Sequence, residues 1–452
     1  DLERHMFVCG ATGSAKSNFL QYFLINFKKH YDIPFLLVEF KGEYTYLQDI
    51  IKDLLVIRPG ENFSINIFNP EGSNSEIHAE RIFDILKSGQ FLDESSEFSP
   101  QMERVLVDIF TIVCKNPQYQ SWKGFYAQCE KYLQEQRNKI PMVHQSLISV
   151  KNRIRRFSLG PLKSIFATRY KLKITDLFDK NILIDLSSII RLGGEKEDAL
   201  FFLNMVLKYL WDKNLTQGAY NFKGIRQITI VEDAQYFAPR DLSNKTKLTS
   251  YLEDIALLQR GTGECLISIA TRPDISEEIL ANCGVLITFK SHMQRSFISE
   301  LLNLDEEDQK YISMLEEGQC IARVNSVKKP FLLYVPYVER YWLKRGDVNR
   351  KNKLILKKLK EQKKIKVKSK ENSKKIIAKP KKISQNEKET QEFEKITKEV
   401  AEIKYFVDNL LIDKNQPKEK FTTDTYRKCS ECFSIFEKKL KHCPYCGSLK
   451  EL

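Results

Sequence analysis

The chain has 452 residues, 42% of them hydrophobic, which is room for two or three domains with real cores. Its net charge of +14 belongs to the tail, because residues 341–452 hold 31 Lys and Arg against 16 Asp and Glu, while residues 1–340 hold 42 against 43. No uncharged apolar run reaches the roughly 18 residues of a membrane span, and no charged-then-apolar leader is present, so a soluble chain is expected.

Residues 5–10 (HMFVCG) read as a short strand ending in glycine, and a loop leads into an amphipathic helix from Lys16 to about Lys29. Strands are expected again at Phe35–Phe40 and Leu54–Arg58, each stopped by turn residues. Strand, loop, helix and strand at this spacing imply a right-handed βαβ unit and a parallel sheet. From about Asn74 to Tyr170 the periodicity is helical, as in MERVLVDIFTIVCKN. Strand signals return at Ile182–Leu186, Ile228–Val231, Leu266–Ala270, Val285–Phe289 and Cys320–Val324. A doubly wound α/β core interrupted by helices accounts for this order.

The segment Gly10-Ala11-Thr12-Gly13-Ser14-Ala15-Lys16-Ser17 lies between a strand and a helix. A phosphate loop works because consecutive backbone N–H groups and a helix N-terminus converge on the β-phosphate. Lys16 is then expected to reach the β/γ-phosphates of ATP and Ser17 to ligate Mg2+. Ala15 departs from the pattern, which has glycine directly before the lysine, so backbone strain is expected there. Residues 227–237 (QITIVEDAQYF) read as a buried strand ending in two acids. Beside a phosphate loop, Glu232 suits the Mg2+ shell and Asp233 suits orientation or deprotonation of the attacking water.

These segments together resemble the HerA/FtsK branch of P-loop (RecA/ASCE-type) ATPases, and the HerA-like translocases above all. HMFVCGATGSAKS is similar to the family loop, LLVEFKGEY to its strand leading into a KGEY element, and IVEDAQYFAP to its acidic strand end. NILIDLSSI, LQRGTGECLISIATRPDISEEIL and EEGQCIARVNSVKKPFLLYVP follow in the family's order, so the resemblance spans roughly residues 5–340. It implies a homohexameric ring that moves duplex DNA through its channel, with a NurA-type nuclease as a frequent partner in DNA-end processing and related members in defence. It implies that Arg260 reaches the neighbouring subunit's γ-phosphate, and that Thr271 stands where the family has a glutamine sensor. The family's N-terminal β-barrel has no counterpart here, as expected of an excised fragment starting at Asp1. Ala15, the shortened acid Asp233 and Thr271 are three departures at one chemistry. They keep open a subunit that binds ATP as a scaffold with weak turnover, and a conjugation- or packaging-type pump remains a further alternative.

Beyond the core, residues 351–382 hold 15 lysines and few aromatics, the composition of a tether or of an arm drawn to nucleic-acid phosphates. Phe393, Ile396, Val400, Ile403, Val407 and Leu410 follow a 3,4 spacing that fits a short docking or coiled-coil helix. Cys429-x2-Cys432 and Cys443-x2-Cys446 are two knuckles whose four thiolates suit tetrahedral Zn2+. Cys9, Cys114, Cys129, Cys265, Cys283 and Cys320 are scattered singly, as in a reducing, cytoplasmic compartment, and are expected in the core. The expected organisation is a P-loop core in two parts, 1–73 and 171–345, around a helical insertion, 74–170. A Lys-rich linker (346–390), a short helix (391–413) and a zinc ribbon (425–452) complete it.

Overall fold

The computed structural model describes residues 5–71, 73–88, 98–166, 174–218, 224–240, 247–359, 361, 426–428 and 435–437. The chain divides into two compact units, Asp1–Lys364 and Ile365–Leu452. In the second unit the described residues form one antiparallel pair of short strands, with Tyr426 opposite Glu437 and Lys428 opposite Ile435. The four zinc-ribbon cysteines and the 391–413 helix lie outside the described residues.

The first unit is built on nine strands: β1 Met6–Cys9, β2 Phe35–Glu39, β3 Leu55–Ile57, β4 Ile182–Asp185, β5 Gln227–Val231, β6 Glu264–Ala270, β7 Val285–Phe289, β8 Gln319–Val324 and β9 Phe331–Tyr334. Their order in the sheet is β3-β4-β2-β5-β6-β1-β7-β8-β9. The first seven in that order run parallel, while β8 is antiparallel to β7 and β9 to β8. The short connection 325–330 joins β8 to β9, too short for the crossover that a parallel pairing needs. The parallel sheet expected from the sequence therefore carries an antiparallel edge.

Alternation along each strand sends side chains to two cores. Met6, Val8, Phe35 and Leu37 face one, with Leu20, Leu24 and Phe27 of helix α1 (Lys16–His30). Phe7, Cys9, Leu36 and Val38 face the other. Between β3 and β4 run α2's successors in the chain: after the single-turn α2 (Leu47–Ile50) come α3 (Ser75–Ser88), α4 (Pro100–Lys115), α5 (Trp122–Gln136) and α6 (Val143–Ser158). Ser99 starts α4 by accepting from Met102 N–H with Pro100 in the first turn, and Ser121 starts α5 by accepting from Gly124 N–H. The buried residues of α3–α6 belong to the same cluster as the second sheet face, so these helices share its core. The short α7 (Ser187–Arg191) and the long α8 (Lys196–Gln217) follow β4, and α9 (Lys247–Leu258) precedes β6. All six single cysteines are buried, as expected. Among the described residues no helix is long and apolar enough to cross a membrane.

One expectation is corrected. The linker was expected to begin at residue 346, yet residues 345–359 are helical. Val348, Asn352 and Ile355 form a buried stripe at helical spacing, which the surrounding lysines mask in the composition. Asn352 pairs its amide with the open edge of the sheet, accepting from Val56 N–H at 3.1 Å and donating to Val56 C=O at 2.7 Å.

Candidate nucleotide-binding site

Parallel strands gather their C-terminal ends on one side, and the residues just after them line a shared crevice. Here that crevice is a cleft of about 210 Å³. The loop after β1 supplies Thr12, Gly13, Ala15, Lys16 and Ser17, while β5 leads to Glu232 and Asp233 and β6 to Thr271. The loop is anchored to β7 by Ala11 N–H donating to Lys290 C=O at 2.8 Å. Gly10 is required by crowding as well as by its φ of 152°, because a Cβ there would lie 2.6 Å from Phe289 Cβ. Ala15, which caps α1, sits at φ 77° and ψ 21°, the left-handed region expected to strain a residue with a side chain. The Lys16 ammonium donates to the carbonyls of Gly10 (2.7 Å) and Ala11 (2.9 Å). Burial lowers its pKa, partly offset by Cys9 and Glu232.

Ser17 Oγ donates to Glu232 Oε1 at 3.1 Å, and the Tyr44 hydroxyl donates to the same oxygen. Glu232 is 4% exposed, and its Oε2 has no hydrogen-bond partner among the described residues. Burial raises its pKa, against the Tyr44 hydrogen bond and Lys41. A buried carboxylate oxygen without a donor, beside a serine hydroxyl, is a suitable donor set for a hard divalent cation. The charges agree: the cleft sets Lys16, Lys41 and Arg340 against Glu43, Glu232, Asp233 and Glu317. A polyphosphate entering so acidic a cleft needs a cation of its own. Glu232 and Ser17 therefore fit Mg2+. Among the described residues no group of three or more His, Cys, Asp or Glu is placed to hold a metal without such outside ligands.

Asp233 also has left-handed backbone, φ 52° and ψ 40°. Its Oδ1 accepts from Gln235 Nε2 at 3.3 Å, and the same nitrogen donates to Thr271 Oγ1 at 3.4 Å. A glutamine amide thus meets the Thr271 hydroxyl from the neighbouring strand end, a contact that the sequence did not suggest. Arg260 lies on the 3-10 turn Gln259–Thr262, with its side chain outside the described set.

Several site residues were missed from sequence. Glu39, at the end of β2, is buried, and its carboxylate accepts from Glu43 N–H (2.9 Å) and Tyr44 N–H (3.4 Å). Burial raises its pKa well above the usual carboxylate range, with Glu232 and Asp185 adding to the shift. These bonds shape the turn that brings Lys41 and Glu43 into the cleft. That turn follows a parallel strand, which was the available signal. Arg340 arrives from beyond β9 because Asn18, in the first turn of α1, holds the backbone there. Its amide donates to Pro336 C=O at 2.9 Å and accepts from Val338 N–H at 2.8 Å. No local pattern marks that contact.

Residues 1–208 match the family model described as the central domain of the helicase HerA. No curated protein matches the chain. Among solved structures the fold is similar to VirB4 of Thermoanaerobacter pseudethanolicus, at 14% identity and TM-score 0.53, covering 74% of this chain and 90% of that one. It is also similar to the plasmid coupling protein TrwB. The TrwB complex with the non-hydrolysable ATP analogue ADPNP is 12% identical at TM-score 0.52, covering 75% of this chain and 86% of that one. The complex with ADP and Mg2+ is 13% identical at TM-score 0.51, covering 75% and 87%. At such identities the likeness to solved structures is one of fold. Residues 1–208, just under half of the chain, are thus similar to the central domain of HerA, and the nine-stranded sheet has the fold that VirB4 and TrwB share.

Proposed function

We propose that the protein is an ATP-driven DNA translocase of HerA type, working as a cytoplasmic homohexamer on duplex DNA in end processing or defence. The observation that carries this is the convergence of Ser17 Oγ on the unsatisfied, buried Glu232 carboxylate beside Lys16. Lys16 contacts the β- and γ-phosphates, Ser17 and Glu232 hold Mg2+, and Asp233 orients or deprotonates the attacking water. Bound Mg2+ supplies neutralisation of the phosphate charge. Thr271 stands at the sensor position, and Arg260 of the adjacent copy completes the site. A NurA-like nuclease is the partner this reading favours. The lysine-rich tail adds sequence-independent grip on DNA, and the four tail cysteines hold Zn2+.

The test is ATP turnover by the full chain with and without duplex DNA. Stimulation by DNA, abolished by Lys16→Ala, is expected. An intact, DNA-loaded hexamer with no turnover would sink the proposal. A second reading, an ATP-binding scaffold with weak hydrolysis, is favoured by the left-handed Ala15 directly before Lys16. It predicts ATP binding with negligible turnover, and DNA affinity lost on deleting residues 346–452. The fold shared with TrwB and VirB4 also suits a conjugation-type pump.

A further inference from the structure

The cleft contains a second lysine that the roles above leave unused. Lys41 Nζ lies 3.8 Å from Asp233 Oδ2, and Asp233 is its charge partner within 4 Å among the described residues. The Lys41 side chain is 52% exposed, on the wall of the same cleft as Lys16. Lys16 is engaged with two loop carbonyls, whereas Lys41 has one long contact and room to move.

Its backbone, by contrast, is tightly indexed to the metal-binding pair. Glu39 holds the turn by accepting from the amides of Glu43 and Tyr44. Tyr44 then donates to the Glu232 oxygen that also receives the Ser17 hydroxyl. Gly42 makes the reversal at φ 74°. The root of Lys41 is therefore fixed relative to Ser17 and Glu232, and only its flexible stem is free. Burial alone would lower the Lys41 pKa, but Asp233, Glu232, Glu43 and Glu39 outweigh it and keep the ammonium protonated.

We propose that Lys41 contacts the terminal phosphate of the bound nucleoside triphosphate within its own subunit, exchanging Asp233 for that phosphate. The inference rests on the nucleotide reading of the cleft. A terminal phosphate beside Asp233 brings more negative charge than one carboxylate, so the ammonium transfers to it. The Asp233 carboxylate is then released to accept a hydrogen from water. A diphosphate ends short of this position, and Lys41 stays on Asp233. Lys41 thus makes the site distinguish triphosphate from diphosphate with no residue from another subunit.

The experiment is equilibrium binding of ADPNP and of ADP, each with Mg2+, to the full chain and to Lys41→Ala and Lys41→Arg. Melting curves accompany each variant. A lost charge-assisted hydrogen bond predicts that Lys41→Ala weakens ADPNP by about ten- to a hundredfold. ADP should change less than about twofold on the same grounds, because it lacks the group being contacted. Lys41→Arg should recover most of the loss, since it keeps the charge and the donors. Equal weakening of both ligands, or of neither, would overturn the Lys41 assignment while leaving the nucleotide site standing. If the unsubstituted chain binds neither ligand, the nucleotide reading fails and takes Lys41 with it.

Discussion

Two buried acids at opposite ends of one sheet, Glu264 and Glu232, are held in opposite ways. At the N-terminal ends of the strands, Glu264 opens β6 and is fully engaged: Oε1 accepts from Thr229 Oγ1 at 2.6 Å and Oε2 from Asn214 Nδ2 at 3.1 Å. His5 nearby uses both ring nitrogens, Nε2 with Ala256 C=O and Nδ1 accepting from Leu266 N–H. At the C-terminal ends, Glu232 is as deeply buried but keeps one oxygen without a donor among the described residues. Left-handed backbone occurs at both ends, at Ala15 and Asp233 on one and at His5 on the other, so it does not mark the difference. The difference in hydrogen-bond partners separates structure from function. An acid whose partners come from its own fold closes the sheet, and one left short of partners is waiting for a ligand.

The largest expected effect comes from exchanging the two acids for their amides. Glu232→Gln keeps an acceptor for Ser17 and Tyr44 but removes the charge, and should lower turnover by about a hundred- to a thousandfold. Stability should hold or rise, because a buried carboxylate without a full set of donors is costly. A variant that loses turnover only by unfolding would break the contrast, and melting curves beside the rates decide it.

Glu264→Gln should do the reverse, leaving turnover unchanged and altering how stability depends on pH. Burial, opposed by Thr229 and Asn214, pushes the Glu264 pKa up from 4.5 to about 7. The native state therefore holds a proton that the unfolded chain releases at about 4.5. That contribution is complete below 4.5 and falls away as pH rises through 7, a loss on the order of 3 kcal/mol. Denaturation at pH 5 and pH 8 should show a steeper fall for the unsubstituted protein than for the variant. Parallel pH profiles would mean that Glu264 is ionised throughout.

A smaller effect is expected from Thr229→Val, which keeps the shape and removes the donor to Glu264. The unmet acceptor should cost about 1–3 kcal/mol, with nucleotide affinity unaffected. A change in affinity instead would show that the two ends of the sheet are coupled.

The contrast also explains what could be read from the sequence. The eight strands carried by apolar runs were placed to within two residues, because burial on both faces leaves a dense signature. Periodicity does not mark Phe331–Tyr334, all four of which are exposed in the antiparallel edge. The helix at 345–359 was hidden for a related reason, since three buried positions among lysines do not lift local hydrophobicity. Lys16, Ser17, Glu232 and Asp233, which line one cleft, each lie within a contiguous motif. Lys41 and Gln235 lie within quoted segments too, but their convergence depends on the sheet order that places β2, β5, β6 and β1 side by side, and Arg340 comes from beyond β9 with no local pattern. Convergence of that kind belongs to topology, which no single segment records.

The smallest prediction concerns the strain itself. Left-handed backbone costs an alanine about 1–2 kcal/mol relative to glycine, and Ala15 adopts it where the loop enters α1. Ala15→Gly relieves that cost but gives the unfolded chain more freedom, worth about 0.4–1 kcal/mol in the other direction. The offset is partial, so chemical denaturation should show a gain of between zero and about 1.6 kcal/mol. Turnover should not fall, since removing a methyl from the phosphate loop opens space beside Lys16 without moving a charge. A faster Ala15→Gly enzyme would identify Ala15 as a brake on hydrolysis and favour the scaffold reading of the native chain. Unchanged rates would show that the loop accommodates its alanine at the level of stability alone.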